Sequence, residues 1–274
     1  MLVAFEVSTR QGDTLTLPLD DVSSGVVVQN ISGLTPVKAT LVSSSFAGVD
    51  GEQYQSSRRE TRNITIKLGL DPNPLISSVS ELRQQLQNFF MPKSEIDLTF
   101  YRNDSVDVSI AGVVESFDSE LFSQDPEVDI SVICFDPDFY DSETTGHSSG
   151  MSTSGTAATV ISYDGTVDTG IVFTFNVNRT LTDFTIYHNT PSGELRQLDF
   201  SGSLVAGDVL TISTVIGDKG ATLIHTGTSS SVLYAVSPQS NWIQLEPGDN
   251  QLRVYATGAG VPYTIDYVTK YGGL

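Results

Sequence analysis

Apolar and polar residues alternate along most of this chain. Ile96-Asp97-Leu98-Thr99-Phe100-Tyr101 does so, and Val106-Asp107-Val108-Ser109-Ile110 repeats the pattern after the turn pair Asn103-Asp104. Val128-Asp129-Ile130-Ser131-Val132 alternates again. A period of two puts one class of side chain on each face of a strand, so these segments predict half-buried strands, the first two as a hairpin. Residues 2–7, 14–17, 26–31, 38–43 and 63–70 are also rich in strand formers. One segment has a different period: Leu82, Leu86, Phe89 and Phe90 recur at helical spacing, Ser78 and Glu81 form a capping box, and Pro92 follows. It predicts the one substantial helix, from 78 to about 90.

Residues 141–156, rich in Ser, Thr and Gly, have almost nothing to bury, which predicts a linker over 140–156 between domains 1–139 and 157–274. Beyond it, short strand-like segments recur at 159–163, 171–177, 184–188, 195–200, 209–215, 222–225, 232–236, 242–245, 251–256 and 263–268. Turn signals such as Thr190-Pro191-Ser192-Gly193 and Gly217-Asp218-Lys219-Gly220 separate them. Many short strands at this spacing predict a sandwich or barrel, so the expected fold class is mainly β, with one helix in the N-terminal domain.

Composition narrows the function. The 274 residues suffice for two domains with cores of their own, and the lone Cys134 sits in the apolar run 132–135, which excludes a disulfide scaffold. The net charge is −19, a surface that repels phosphate backbones and anionic membranes. The start lacks the basic segment of a signal peptide, and no run reaches the ~18 apolar residues of a membrane span, so the chain is expected to be made in a cytoplasm, with no membrane partner. Residues 1–139 hold 21 acids and 9 bases, and residues 140–274 hold 12 and 5. In the first part the bases Arg58, Arg59, Arg62 and Lys67 gather upstream of the acids Asp104, Asp107, Glu115, Asp118, Glu120, Asp125, Glu127, Asp129, Asp136 and Asp138. A basic and an acidic strip on one chain fit a head-to-tail contact between copies; a solvated mixed surface is the alternative.

Catalytic chemistry finds little support. Asp168-Thr169-Gly170 matches the aspartic protease triplet, but that chemistry needs a second carboxylate and no second copy exists, so a turn before a strand is the simpler reading. The acidic stretch 136–143 lacks the glycine and alternating oxygen ligands of a calcium loop. His147, His188 and His225 have no partner at a metal-ligand spacing, and there is no nucleophile elbow, Walker loop or dinucleotide fingerprint. Neither an enzyme, a metal nor a cofactor is expected. Trp242, the sole tryptophan, is read either as an exposed sugar-stacking platform or as a half-buried core residue; His188-Asn189 with Glu194 and Arg196 forms a loosely lectin-like set.

The order of parts resembles a known family. Gly48-Val49-Asp50-Gly51-Glu52 is followed by the paired arginines of Ser57-Arg58-Arg59-Glu60-Thr61-Arg62 and a helix ending Phe89-Phe90-Met91-Pro92-Lys93. Then come Ile110-Ala111-Gly112-Val113-Val114-Glu115 and Cys134-Phe135-Asp136-Pro137-Asp138-Phe139. This is similar to the distal tail proteins of long-tailed, non-contractile bacteriophages. Leu245-Glu246-Pro247-Gly248-Asp249-Asn250 and the closing Tyr271-Gly272-Gly273 resemble that family's galectin-like C-terminal domain. The resemblance implies a ring-forming N-terminal domain and a galectin-like β-sandwich. It also implies a structural hub at the tail tip: a hexameric ring joining the tail tube protein to the tail-tip hub, with tape measure or receptor-binding proteins as further partners. DNA would pass through an acidic lumen without specific binding, and the ring would belong to the virion after assembly in the host cytoplasm. On this reading Arg58, Arg59 and Arg62 are the expected ring-interface residues. The alternatives are a carbohydrate- or receptor-binding virion module using Trp242, and a tail-tube protein.

Overall fold

The computed structural model describes residues 1–21, 23–48, 50–73, 77–103, 106–120, 125–258 and 260–274; Val49 and Asp104, named above, lie outside them. The chain divides into two compact units, Met1–Glu143 with Tyr271–Leu274, and Thr144–Lys270.

The first unit contains β1 (Leu2–Thr9), β2 (Thr14–Pro18), β3 (Val26–Ser32), β4 (Ala39–Ser44), β5 (Gln53–Arg59), β6 (Arg62–Leu70), α1 (Val79–Phe89), β7 (Glu95–Arg102), β8 (Val108–Ser119), β9 (Glu127–Cys134) and the start of β10 (Phe139–Met151). Seven strands pair antiparallel in the order β3-β6-β9-β8-β7-β1-β2. The alternation holds as expected: Leu98 lies opposite Ile110, and both are buried with Phe5, Val7, Ile64, Ile66, Phe100, Ile130 and Val132 in one core. The capping box forms as expected, Ser78 Oγ accepting from the Glu81 amide while the Glu81 carboxylate accepts from the Ser78 amide at 2.8 Å. Leu82, Leu86 and Phe90 enter the same core, so the helix is held by its apolar stripe as well as its cap.

The second unit takes up the rest of β10 and continues with β11 (Thr159–Tyr163), β12 (Thr169–Asn176), β13 (Leu181–Asn189), β14 (Leu195–Leu204), β15 (Val209–Ser213), β16 (Gly220–His225), β17 (Thr228–Ser231), β18 (Gln244–Leu245), β19 (Gly248–Tyr255) and β20 (Pro262–Tyr271). One sheet runs β17-β16-β15-β12-β20-β10 and the other β11-β19-β13-β14. Their inner faces share Phe173, Phe175, Phe184, Ile186, Phe200, Leu252 and Ile265. Phe184 lies 4.6 Å from Phe175 and 4.9 Å from Phe200, ring centre to ring centre. The mainly β class with one helix is what the pattern predicted.

Local differences have local causes. Where composition suggests a linker over 140–156, residues 139–151 form β10, because β20 supplies the pairing that the Ser/Thr/Gly stretch cannot supply itself. Gly146 and Gly150 lie beneath the Tyr267 and Tyr263 rings of β20, at positions where a Cβ would collide. The segment 232–236 is a 3-10 turn at Leu233–Ala235 rather than a strand, and the strand at 242–245 shrinks to two residues. β5 and β17 carry almost no apolar residues, so their sequences gave no strand signal.

Candidate assembly interface

β4 and β5 form a two-stranded sheet of their own, with Ala39 opposite Arg59, Thr40 opposite Arg58, Leu41 opposite Ser57 and Val42 opposite Ser56. Neither strand contains a buried residue. Leu41 is 67% exposed, Val42 50% and Tyr54 61%, and Phe46 at the tip is exposed too. A lone hairpin is marginal in water, and a protein rarely leaves such side chains grouped in solvent without a partner for them.

The three arginines expected at an interface take different roles. Arg58 extends from the hairpin, 79% exposed at its side chain, with Glu60 at 3.7 Å. Arg59 pins the hairpin base through a two-pronged ion pair with the buried carboxylate of Asp138, one arm being Nη2 to Oδ2 at 2.9 Å. Arg62 is only 1% exposed and leaves the expected set. Its guanidinium donates to four backbone carbonyls: Pro137 at 2.8 Å, Thr35 at 2.7 Å, Gly272 at 2.7 Å, and Gly33. It also stacks 4.4 Å from the centre of the buried Phe139 ring. It cannot meet a neighbour's carboxylate from there; it ties residue 272 into the first unit, where the Leu274 amide also donates to Leu34 at 2.9 Å. The sequence offered no signal separating Arg62 from its two neighbours beyond its place at the start of an alternating strand.

Some of the downstream acids lie at one end of the β8–β9 pair, whereas Asp107 precedes β8 at its other end, Glu115 is in mid-strand, and Asp136 and Asp138 follow β9, Asp138 pairing with Arg59. Asp118 lies directly opposite Asp129, with Glu120, Asp125 and Glu127 close in sequence. Lys67 meets Glu127 at 2.6 Å and, with help from Gln29, holds its carboxyl below the usual range. From α1, Arg83 donates to Ser119 Oγ at 2.7 Å and to the Glu120 carbonyl at 3.0 Å, which fixes this acidic end on the unit.

In the second unit His188 is fully buried; Asn250 Oδ1 lies 2.9 Å from its Nε2 and also accepts from the Glu246 amide. Burial pushes the His188 pKa down, so the ring is held neutral. Arg196 is bound to Glu246 at 2.6 Å and Glu194 at 2.7 Å. Three members of the lectin-like set thus have partners within the unit, although His188 Nδ1 is buried without one among the described residues, while Asn189, adjacent to His188 in a strand, points to the opposite, exposed face. Trp242 is half-buried against the core, and the Lys219 ammonium stands 5.7 Å from its ring centre. In the Asp168-Thr169-Gly170 triplet, Thr169 is buried, and a Cβ on Gly170 would sit 2.5 Å from Val215 Cα, so the triplet is the close-packed start of β12. In the acidic stretch, Asp136 accepts from the Asp138 amide at 3.1 Å while Asp138 pairs with Arg59. Cys134 is buried and its thiol is pushed up to about 11 by desolvation.

Residues 164–271 match the family model of the siphovirus-type tail component, C-terminal domain. Residues 164–271 are thus similar to that tail-component domain. The fold extends the likeness across both units. The crystal structure of the SPP1 Dit (gp 19.1) protein, described as a paradigm of the hub adsorption apparatus in phages infecting Gram-positive bacteria, matches with a TM-score of 0.68 over 97% of this chain and 98% of that one, at 17% identity. A chain of the phage P2 baseplate in its activated conformation matches with a TM-score of 0.50 over all of both chains, at 11% identity. A comparison with curated proteins gives no match. The resemblance to distal tail proteins is borne out by the family match in the second domain and by the shared fold over the whole chain.

Proposed function

We propose that this chain is the structural hub of a siphovirus tail tip: a hexameric ring that joins the tail tube to the adsorption apparatus and leaves a channel for DNA. The observation that carries the reading is the uncovered β4–β5 hairpin, an element with an edge and two faces to offer and no cover within its own unit. The fold shared with the SPP1 Dit protein supports the same assignment. The ring contact is apolar at its centre, through Leu41, Val42, Phe46 and Tyr54. Arg58 is its outward cation, and Arg59 acts by holding the hairpin base.

The acidic end of β8–β9 lines the channel, where like charge keeps the phosphate backbone from adhering as DNA passes. The partners are further copies of this chain, the tail tube protein and the tail-tip hub, with tape measure or receptor-binding proteins beyond them. The ring assembles in the host cytoplasm and resides in the virion. The carbohydrate-module reading loses its main support, since Trp242 leans on the core beneath Lys219 and Arg196 is taken up by two carboxylates.

Light scattering of the purified full chain at near-physiological salt, with negative-stain images of the same peak, tests the proposal. The expected result is a discrete ring of six copies with an open centre. Long stacks would instead favour a tail-tube protein, and a monomer at every concentration would remove the ring reading.

A further inference from the structure

Beside the hairpin, the first unit has a second uncovered feature. The β7–β8 face and the residues after β9 enclose an open groove of about 400 Å³, lined by Arg10, Glu95, Asp97, Ala111, Phe135 and Asp136 among others. Phe135 is 71% exposed, so this chain's own hairpin does not cover it. Arg10 and Glu95 pair at 2.9 Å, which leaves Asp97 and Asp136 as the net charge of the lining. Asp136 is held in place by the Asp138 amide and the Tyr140 hydroxyl, both donating to it. The groove is therefore an apolar floor with an anionic rim. One hairpin face, carrying Thr40, Val42 and Arg58, has the complementary character: an apolar side chain beside a largely exposed cation, which Glu60, itself held by Thr40, faces only at 3.7 Å.

We propose that the hairpin of one copy seats in this groove of the next copy, with Val42 against Ala111 and Phe135 and Arg58 facing Asp97 and Asp136. The two surfaces are different patches of one chain, so the contact is heterologous and repeats from copy to copy until the rotation closes. The apolar part supplies the burial, and the charged rim sets register and excludes a hairpin seated the wrong way round. This inference rests on the ring reading and names the surface that receives the hairpin.

The test uses the full chain carrying both Val42→Cys and Ala111→Cys, two exposed positions, with the inert Cys134 retained. Mild oxidation is expected to give a ladder of covalent oligomers on a non-reducing gel, absent from either single variant. Separately, Arg58→Glu is expected to weaken assembly about tenfold, and adding Asp97→Arg to restore it. Rings in the images with neither ladder nor rescue would overturn the groove assignment while leaving the ring reading intact. A monomer with no ladder at any concentration would overturn both.

Discussion

Two hairpins of this protein are built from similar lengths of chain and differ in what they cover. β13–β14 buries Phe184, Ile186, His188, Leu198 and Phe200 on one face, so its register is set by the core beneath it. β4–β5 buries nothing and is held at its base, by the Arg59–Asp138 pair and the amide of Glu60 donating to the Lys38 carbonyl at 3.0 Å. The first is an element of a domain, whereas the second has the composition of half an interface. Strand geometry alone does not distinguish them; the number of apolar side chains removed from water does.

The contrast is broken most severely through the core. Phe200→Ala should cost about 3–5 kcal/mol, enough to lower the melting transition of the second unit markedly in a calorimetric scan, with assembly through the hairpin unaffected. Arg62→Met should come next, at about 3 kcal/mol, because four backbone carbonyls lose a charged donor and residues 271–274 lose their anchor. Protease cleavage near residue 272 would report that release; a tail as protected as in the parent chain would refute the anchoring role.

Acid should weaken the second unit in two steps with separate owners. The pKa of His188 is lower folded than unfolded, so the unfolded chain takes up the proton first and stability declines as pH falls below about 6.5. His188→Gln should flatten that part of the profile. The Asp208 carboxyl is held below its ordinary range first by the Val205 amide at 2.8 Å and then by His225 at 2.6 Å. Its contribution is full above about pH 5 and is lost as pH falls through 4 and below, so Asp208→Asn should remove that lower step. Melting curves across the pH range decide both.

The smallest effect on folding should come from the hairpin. Leu41→Ser with Tyr54→Ser should shift stability by no more than about 0.5 kcal/mol, since neither side chain is buried within the chain, yet should abolish rings in negative-stain images. Intact rings from that variant would remove Leu41 and Tyr54 from the contact and leave it to the opposite face of the hairpin, which carries Val42 and Arg58.

Much of this architecture is determined by the sequence itself. A period of two in β7, β8 and β9 leaves only one way to turn the apolar side chains inward, and the Ser78–Glu81 box marks where the helix begins. Chemistry with local causes is partly legible: Cys134 among apolar neighbours reads as buried, whereas the turn expected at Asp168-Thr169-Gly170 gives way to a strand that already begins at Thr169. What only the tertiary structure decided is the fate of residues whose partners are distant in the chain. Arg58, Arg59 and Arg62 look alike in sequence, and their separation into outward cation, brace and buried clamp depends on Glu60, on Asp138, and on carbonyls as remote as Gly272. β10 is a strand because β20 lies beside it, and β5 because β4 does, neither having an apolar periodicity of its own. Burial and pairing are properties of neighbours in space, and a charged or Ser-rich segment carries no record of which neighbour it will meet.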